Sequence, residues 1–198
     1  MRIHTEETKL YKWSELDDDQ REMVLDKNRD HLADDDCLYH VVEEFKDTIG
    51  PLFGLYVSNV YYSGFWSQGD GACFEGSFEY RKGMLRDVKA WFPSNKELIG
   101  IAEQLQYVQR KAFYRLNGSI RHRGHYSHSG CTEFTVYNGD YSLDSCMFED
   151  DIKSIYRDLM NWLYAYLEAE YEYTRSDDTL SDYFSGNDYE FTEDGEIH

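Results

Sequence analysis

Two stretches gather the side chains from which chemistry could be built. In RHRGHYSHSGC, His122, His125, His128 and Cys131 recur every three residues, with Arg121 and Arg123 between them. In YYSGFWSQGDGACFEG, Gly64 and Gly69 are spaced as at the start of a phosphate-binding loop, among Trp66, Ser67, Gln68 and Asp70. Such a loop needs a Lys after its second glycine to reach phosphate oxygens; Asp70 stands there instead, which excludes it. What remains is a turn with backbone N–H groups beside an indole, able to stack on a flat ring and hydrogen-bond its edge. The plainer reading is a β-turn with Phe65 and Trp66 in the core.

The histidine run offers nitrogen and sulfur ligands, but strand alternation puts His122 and Gly124 on one face and Arg121, Arg123 and His125 on the other. No metal centre is expected and no cofactor is implied. Two arginines and several imidazoles suit a phosphate or carboxylate better. Trp66, Ser67, Gln68, Asp70, Arg121, Arg123 and His125 therefore form a candidate ligand site, on the condition that loop and hairpin adjoin. Catalysis would need Asp70, Cys73 or Glu75 to meet a histidine in space, and no catalytic residue is assigned. Cys37, Cys73, Cys131 and Cys146 form no CxxC pair, which points to reduced thiols and not to a disulfide framework.

Charge is unevenly spread. Of the net −19, residues 1–50 hold 7 Lys and Arg against 15 Asp and Glu, residues 51–135 hold 10 against 7, and residues 136–198 hold 3 against 17. Acidic ends repel phosphates, so direct nucleic-acid binding is not expected; a basic protein is the natural partner. The runs Asp17, Asp18, Asp19; Asp34, Asp35, Asp36; and Glu149, Asp150, Asp151 are its candidate contacts, and equally suit solvated helix starts. They lack the alternation of a calcium loop. With no bilayer-length apolar run and no signal-peptide pattern in MRIHTEETKL, a cytoplasmic protein is expected.

The elements that must position these residues follow from periodicity. A helix capped by Ser14 and a second ending at Gly50-Pro51 make an acidic opening over 1–50. Strands near 54–64 and 72–81 flank the glycine loop; a helix over 94–115, capped by Ser94, precedes a second hairpin with arms near 116–126 and 131–138. A helix from about Met147 to Tyr173 and an acidic tail with a short strand around Tyr189 and Phe191 close the chain. The expectation is one α+β domain over 1–198: an antiparallel sheet of about four strands, formed from two hairpins and covered by several helices.

KWSELDDDQREMVLDKNRD, YYSGFWSQGDGACFEGSFEY, IAEQLQYVQRKAFYRLNGSIRHRGHYSH and YEFTEDG together resemble a family of small bacteriophage and prophage proteins loosely labelled antitoxins of toxin–antitoxin stability systems. The resemblance covers most of the chain. It implies a mobile-element origin and a non-enzymatic inhibitor or counter-defence role inside a host cell, exerted by binding a host protein. The other expectation is a small-ligand protein or enzyme holding a nucleotide or other anion between the glycine loop and the histidine hairpin.

Overall fold

The computed structural model describes residues 1, 7–33, 37–139 and 147–198. In chain order its elements are β1 (Leu10–Lys12), a 3-10 turn (Trp13–Glu15), α1 (Asp18–Lys27), α2 (Tyr39–Glu44), a π turn (Phe45–Ile49), α3 (Gly50–Leu52), β2 (Leu55–Tyr62) and β3 (Ala72–Phe78). There follow α4 (Met84–Trp91), α5 (Lys96–Lys111), β4 (Leu116–His122), a 3-10 turn (Ser129–Cys131), β5 (Thr132–Asn138), α6 (Glu149–Thr174), α7 (Asp177–Gly186) and β6 (Glu190–Thr192). The fold is α+β, with a four-stranded antiparallel sheet of order β2-β3-β4-β5 and a separate two-stranded sheet, β1-β6. Among the described residues no helix is long and apolar enough to cross a membrane. The chain resolves into two compact units, residues 1–39 with 169–198, and residues 40–168.

The larger unit is organised by the register of its sheet. Leu55 pairs with Phe78, Phe78 with Gly118 and Gly118 with Val136, which lines apolar side chains across one face. The neighbouring row, Tyr56, Ser77, Ser119 and Thr135, falls on the opposite, open face, because side chains alternate along a strand. α5 and α6 bring Leu98, Ile101, Leu105, Ile152, Ile155 and Leu159 into the core, all buried. Phe45 packs on Phe74 and Phe78 on Tyr156, at centroid distances of 5.3 and 4.9 Å. Each such ring removed from water contributes about 1.5–3 kcal/mol.

The smaller unit joins the two ends of the chain. β1 pairs with β6 from Leu10 opposite Thr192 to Lys12 opposite Glu190. Leu16, Val24, Leu25, Leu180, Phe184 and Phe191 form its buried cluster, with Trp13 packed against it. Trp13 lies 5.9 Å from Phe184 and 6.1 Å from Phe191, and the two phenylalanines meet edge-on at 5.2 Å.

Several local expectations change. Asp17, not Ser14, caps α1: its carboxylate accepts from the Gln20 N–H while Gln20 reaches back to the Asp17 N–H. Asn95, not Ser94, caps α5 by accepting from the Leu98 N–H. The helix does not stop at Gly50-Pro51; the π turn lets the backbone run on through Leu52, with the proline in the opening turn of α3. α4, hidden between two predicted elements, is separate from α5.

α5 ends in an unusual way. Phe113 and Tyr114 both adopt left-handed backbone, at φ of 56° and 60°. The Tyr114 N–H donates to the Gln109 carbonyl at 2.6 Å, and the buried Gln109 side chain donates to and accepts from the Leu116 backbone, so the turn is fixed from inside. Phe113 is 80% exposed and contributes little packing. Replacing it with glycine should raise the unfolding free energy by about 0.5–1 kcal/mol, since about 1–2 kcal/mol of strain is released against about 0.5–1 of added backbone entropy. Urea denaturation reads the change, and a loss of stability would contradict the strain.

Candidate functional site

The condition set by the sequence is met: the glycine loop and the histidine hairpin adjoin. They do so by packing on one another. A Cβ built on Gly69 would lie 3.0 Å from the Tyr126 ring, and one on Gly71 would lie 2.6 Å from the Cα and Cβ of His128. These two glycines exist so that residues 126–128 can lie on the loop. Tyr164 of α6 donates its hydroxyl to the Gly64 carbonyl at 3.1 Å, and its ring stacks on Phe65 at 5.5 Å. Trp66 is 65% exposed and does not enter the core, contrary to the plainer reading.

Asp70, the residue that excludes a phosphate loop, has a positive role. Its Oδ2 accepts from the N–H groups of Trp66 and Ser67 at 3.1 and 2.6 Å, and its own N–H donates to the Ser67 carbonyl. The loop's donors therefore point at an internal carboxylate, where a bound anion would otherwise sit. Gln68 is exposed.

Two of the three hairpin histidines are likewise occupied. His122 stacks on Tyr61 at 4.3 Å and its Nε2 donates to the Tyr126 carbonyl at 2.9 Å. The Gly130 N–H donates to Nδ1 of His128 at 3.1 Å, which leaves the ring proton on Nε2, facing Cys131 Sγ at 3.4 Å. In that tautomer His128 donates toward the sulfur and is not a base for the thiol. Cys73 is fully buried, and burial first of all pushes its thiol up to about 12, which keeps it protonated. His125 is exposed.

Glu75 binds this region together. Its Oε1 accepts from Asn59 Nδ2 at 2.8 Å and from the Tyr61 hydroxyl at 3.0 Å, and Oε2 accepts from the His122 N–H at 3.4 Å. These bonds, that from Asn59 foremost, hold its carboxyl below the ordinary range. Arg121 and Arg123 line a trough of about 380 Å3 with Ser58, Glu75, Ser119 and His122, whereas Trp66, Ser67, Gln68, Asp70 and His125 are not among its walls. Arg123 is already paired with Glu133 at 2.9 Å. Among the described residues no group of three or more His, Cys, Asp or Glu is arranged to hold a metal ion.

The acidic runs separate. Asp17, Asp18 and Asp19 open α1 in the smaller unit, where Asp17 serves as cap and Asp18 lies 3.9 Å from Arg21. Glu149, Asp150 and Asp151 open α6 in the larger unit, with Glu149 paired to Lys153. Asp34, Asp35 and Asp36 lie outside the described residues. Joining the chain ends creates a larger collection that the runs alone did not reveal: the smaller unit has 7 Lys and Arg against 22 Asp and Glu, net −15 over 69 residues, and the larger has 13 against 17, net −4. Its signal in the sequence was present only as two separate acidic ends.

The model of one protein family matches residues 38–177, a span that contains the whole larger unit. The chain belongs to that family, described as a domain of unknown function, DUF8835. No curated protein and no solved structure matches the chain significantly.

The packing of loop on hairpin is testable in this DUF8835 member through its glycines. Gly71→Ala should cost about 1–3 kcal/mol by overpacking against His128. Gly100→Ala, in α5 with nothing within 4 Å of the added methyl, should instead gain about 0.5–1 kcal/mol. Equal responses in thermal unfolding would contradict the close approach.

Proposed function

We propose that the protein is a non-enzymatic binding protein whose acidic unit docks on a basic surface of a partner protein. The observation that carries this reading is the concentration of 22 carboxylates against 7 cations in the unit built from both chain ends. At least four of its seven cations are neutralised within that charge: Lys12 pairs with Asp188, Lys27 with Asp194 and Glu196, Arg29 with Asp26 and Asp177, and Arg175 with Asp30 and Glu172. Exposed carboxylates without an ion pair among the described residues remain on α1 and α7 and beyond β6, including Asp19, Glu22, Asp178, Asp182 and Glu193.

A field of this sign steers a basic protein to the unit and repels nucleic acid. If the partner's basic surface normally holds nucleic acid, the carboxylates stand in for phosphates and block it. The likeness of four segments to bacteriophage and prophage proteins accords with such an inhibitor, acting as an antitoxin or against a host defence.

Affinity capture from a cell lysate, compared between the natural protein and a variant carrying Asp19→Asn, Glu22→Gln, Asp178→Asn, Asp182→Asn and Glu193→Gln, tests this. Basic proteins should be retained at about 0.05 M salt, released near 0.5 M where screening shortens to a few ångströms, and lost with the variant. Retention that survives both changes, or that shows no bias to basic proteins, would overturn the reading.

A further inference from the structure

At the other end of the open sheet face, away from the glycine loop, lies a trough of about 490 Å3. Tyr56, Tyr80 and Tyr114 supply aromatic walls, and Arg115, Glu79 and Asn117 supply polar groups. The Tyr80 and Tyr114 rings pack on one another at 4.7 Å with an interplanar angle of 38°. Glu79 accepts the Tyr56 hydroxyl on Oε1 at 3.0 Å, which fixes that ring and orients the carboxylate, whose other oxygen has no hydrogen bond among the described residues. Arg115 is exposed and makes no ion pair among the described residues.

The backbone that presents Tyr114 is strained. Tyr114 is held left-handed by the bond from its N–H to Gln109, and Gln109 is locked to Leu116 immediately beside Arg115. Strain of this kind persists where surrounding bonds over-determine it, and it concentrates where a chain presents groups to a ligand. Here it sets a ring, a guanidinium and a strand end in one place.

We propose that this trough binds a nucleoside phosphate. Aromatic faces accept a nucleobase by stacking. The carboxylate of Glu79 is an acceptor only, so it selects a base edge that donates N–H, and guanine offers two such donors side by side. Arg115 supplies the planar, permanently charged fork that suits a phosphate. Its lining residues all belong to the larger unit, and none of the hairpin's histidines is among them.

Calorimetric titration of the full chain with guanosine 5′-monophosphate, guanosine and inorganic phosphate tests it, with thermal melts confirming that each variant is folded. Saturable binding of the nucleotide is expected, weakened about tenfold or more for guanosine and by Arg115→Ala and Glu79→Gln, and unchanged in His125→Ala. Arg115 and Glu79 are exposed, so these variants should fold. The proposal is overturned by absence of saturable nucleotide binding, by equal affinity for guanosine, by indifference to both trough substitutions, or by loss in His125→Ala.

Discussion

Two acidic chain ends have to be held side by side, and the interaction that does so is the packing of the Phe184, Phe191 and Trp13 rings beside the β1-β6 pair. A unit with net −15 repels itself, and repulsion of that kind works against a compact state. Burying Leu16, Val24, Leu180, Phe184 and Phe191 opposes it, and the ion pairs of Lys12, Lys27 and Arg29 reach from the first segment to the last. Exposed pairs contribute little singly, about 0–1 kcal/mol. Their place here is to cancel charge where the two segments meet, while the apolar cluster supplies the stability.

The larger unit solves a different problem with its glycines. Gly69 and Gly71 admit Tyr126 and His128, Asp70 satisfies the turn it sits in, and Glu75 collects Asn59, Tyr61 and the His122 N–H. Asp70, Glu75, His122 and His128, which suggest catalysis or anion binding by their types, are thereby spent on their neighbours. The open face of the sheet keeps its polar groups at the end remote from this knot, where Arg115 and Glu79 flank the tyrosines.

Much of this fold was legible because large apolar residues repeat at two-residue and helical spacing: LYVSNVYY, ACFEGSF and TEFTVYN are strands as read, and Ile152, Ile155, Leu159 and Leu163 mark the buried face of α6. Caps were harder, since Ser14 and Ser94 are sound caps by type and only the chain's course decides for Asp17 and Asn95. The pairing of β1 with β6 was not legible, because strands of three residues separated by nearly the whole chain carry no local signal. For the same reason the candidate site was half read. The meeting of loop and hairpin stood only as a condition, since no local pattern encodes it, and Gly71 lying under His128 makes that meeting a contact and not a cleft. The left-handed Phe113 and Tyr114 had no signal, since neither residue type favours that conformation.

Phe191 lies in the buried cluster that residues from both chain ends share, so the acidic unit should open as one. Hydrogen exchange on the full chain carrying Phe191→Ala tests this, because contiguous structure opens together when its shared core is removed. Amides of α1 and α7 should lose protection in step, while those of β2 and β3 keep theirs. Loss confined to β6, with α1 as protected as before, would contradict it.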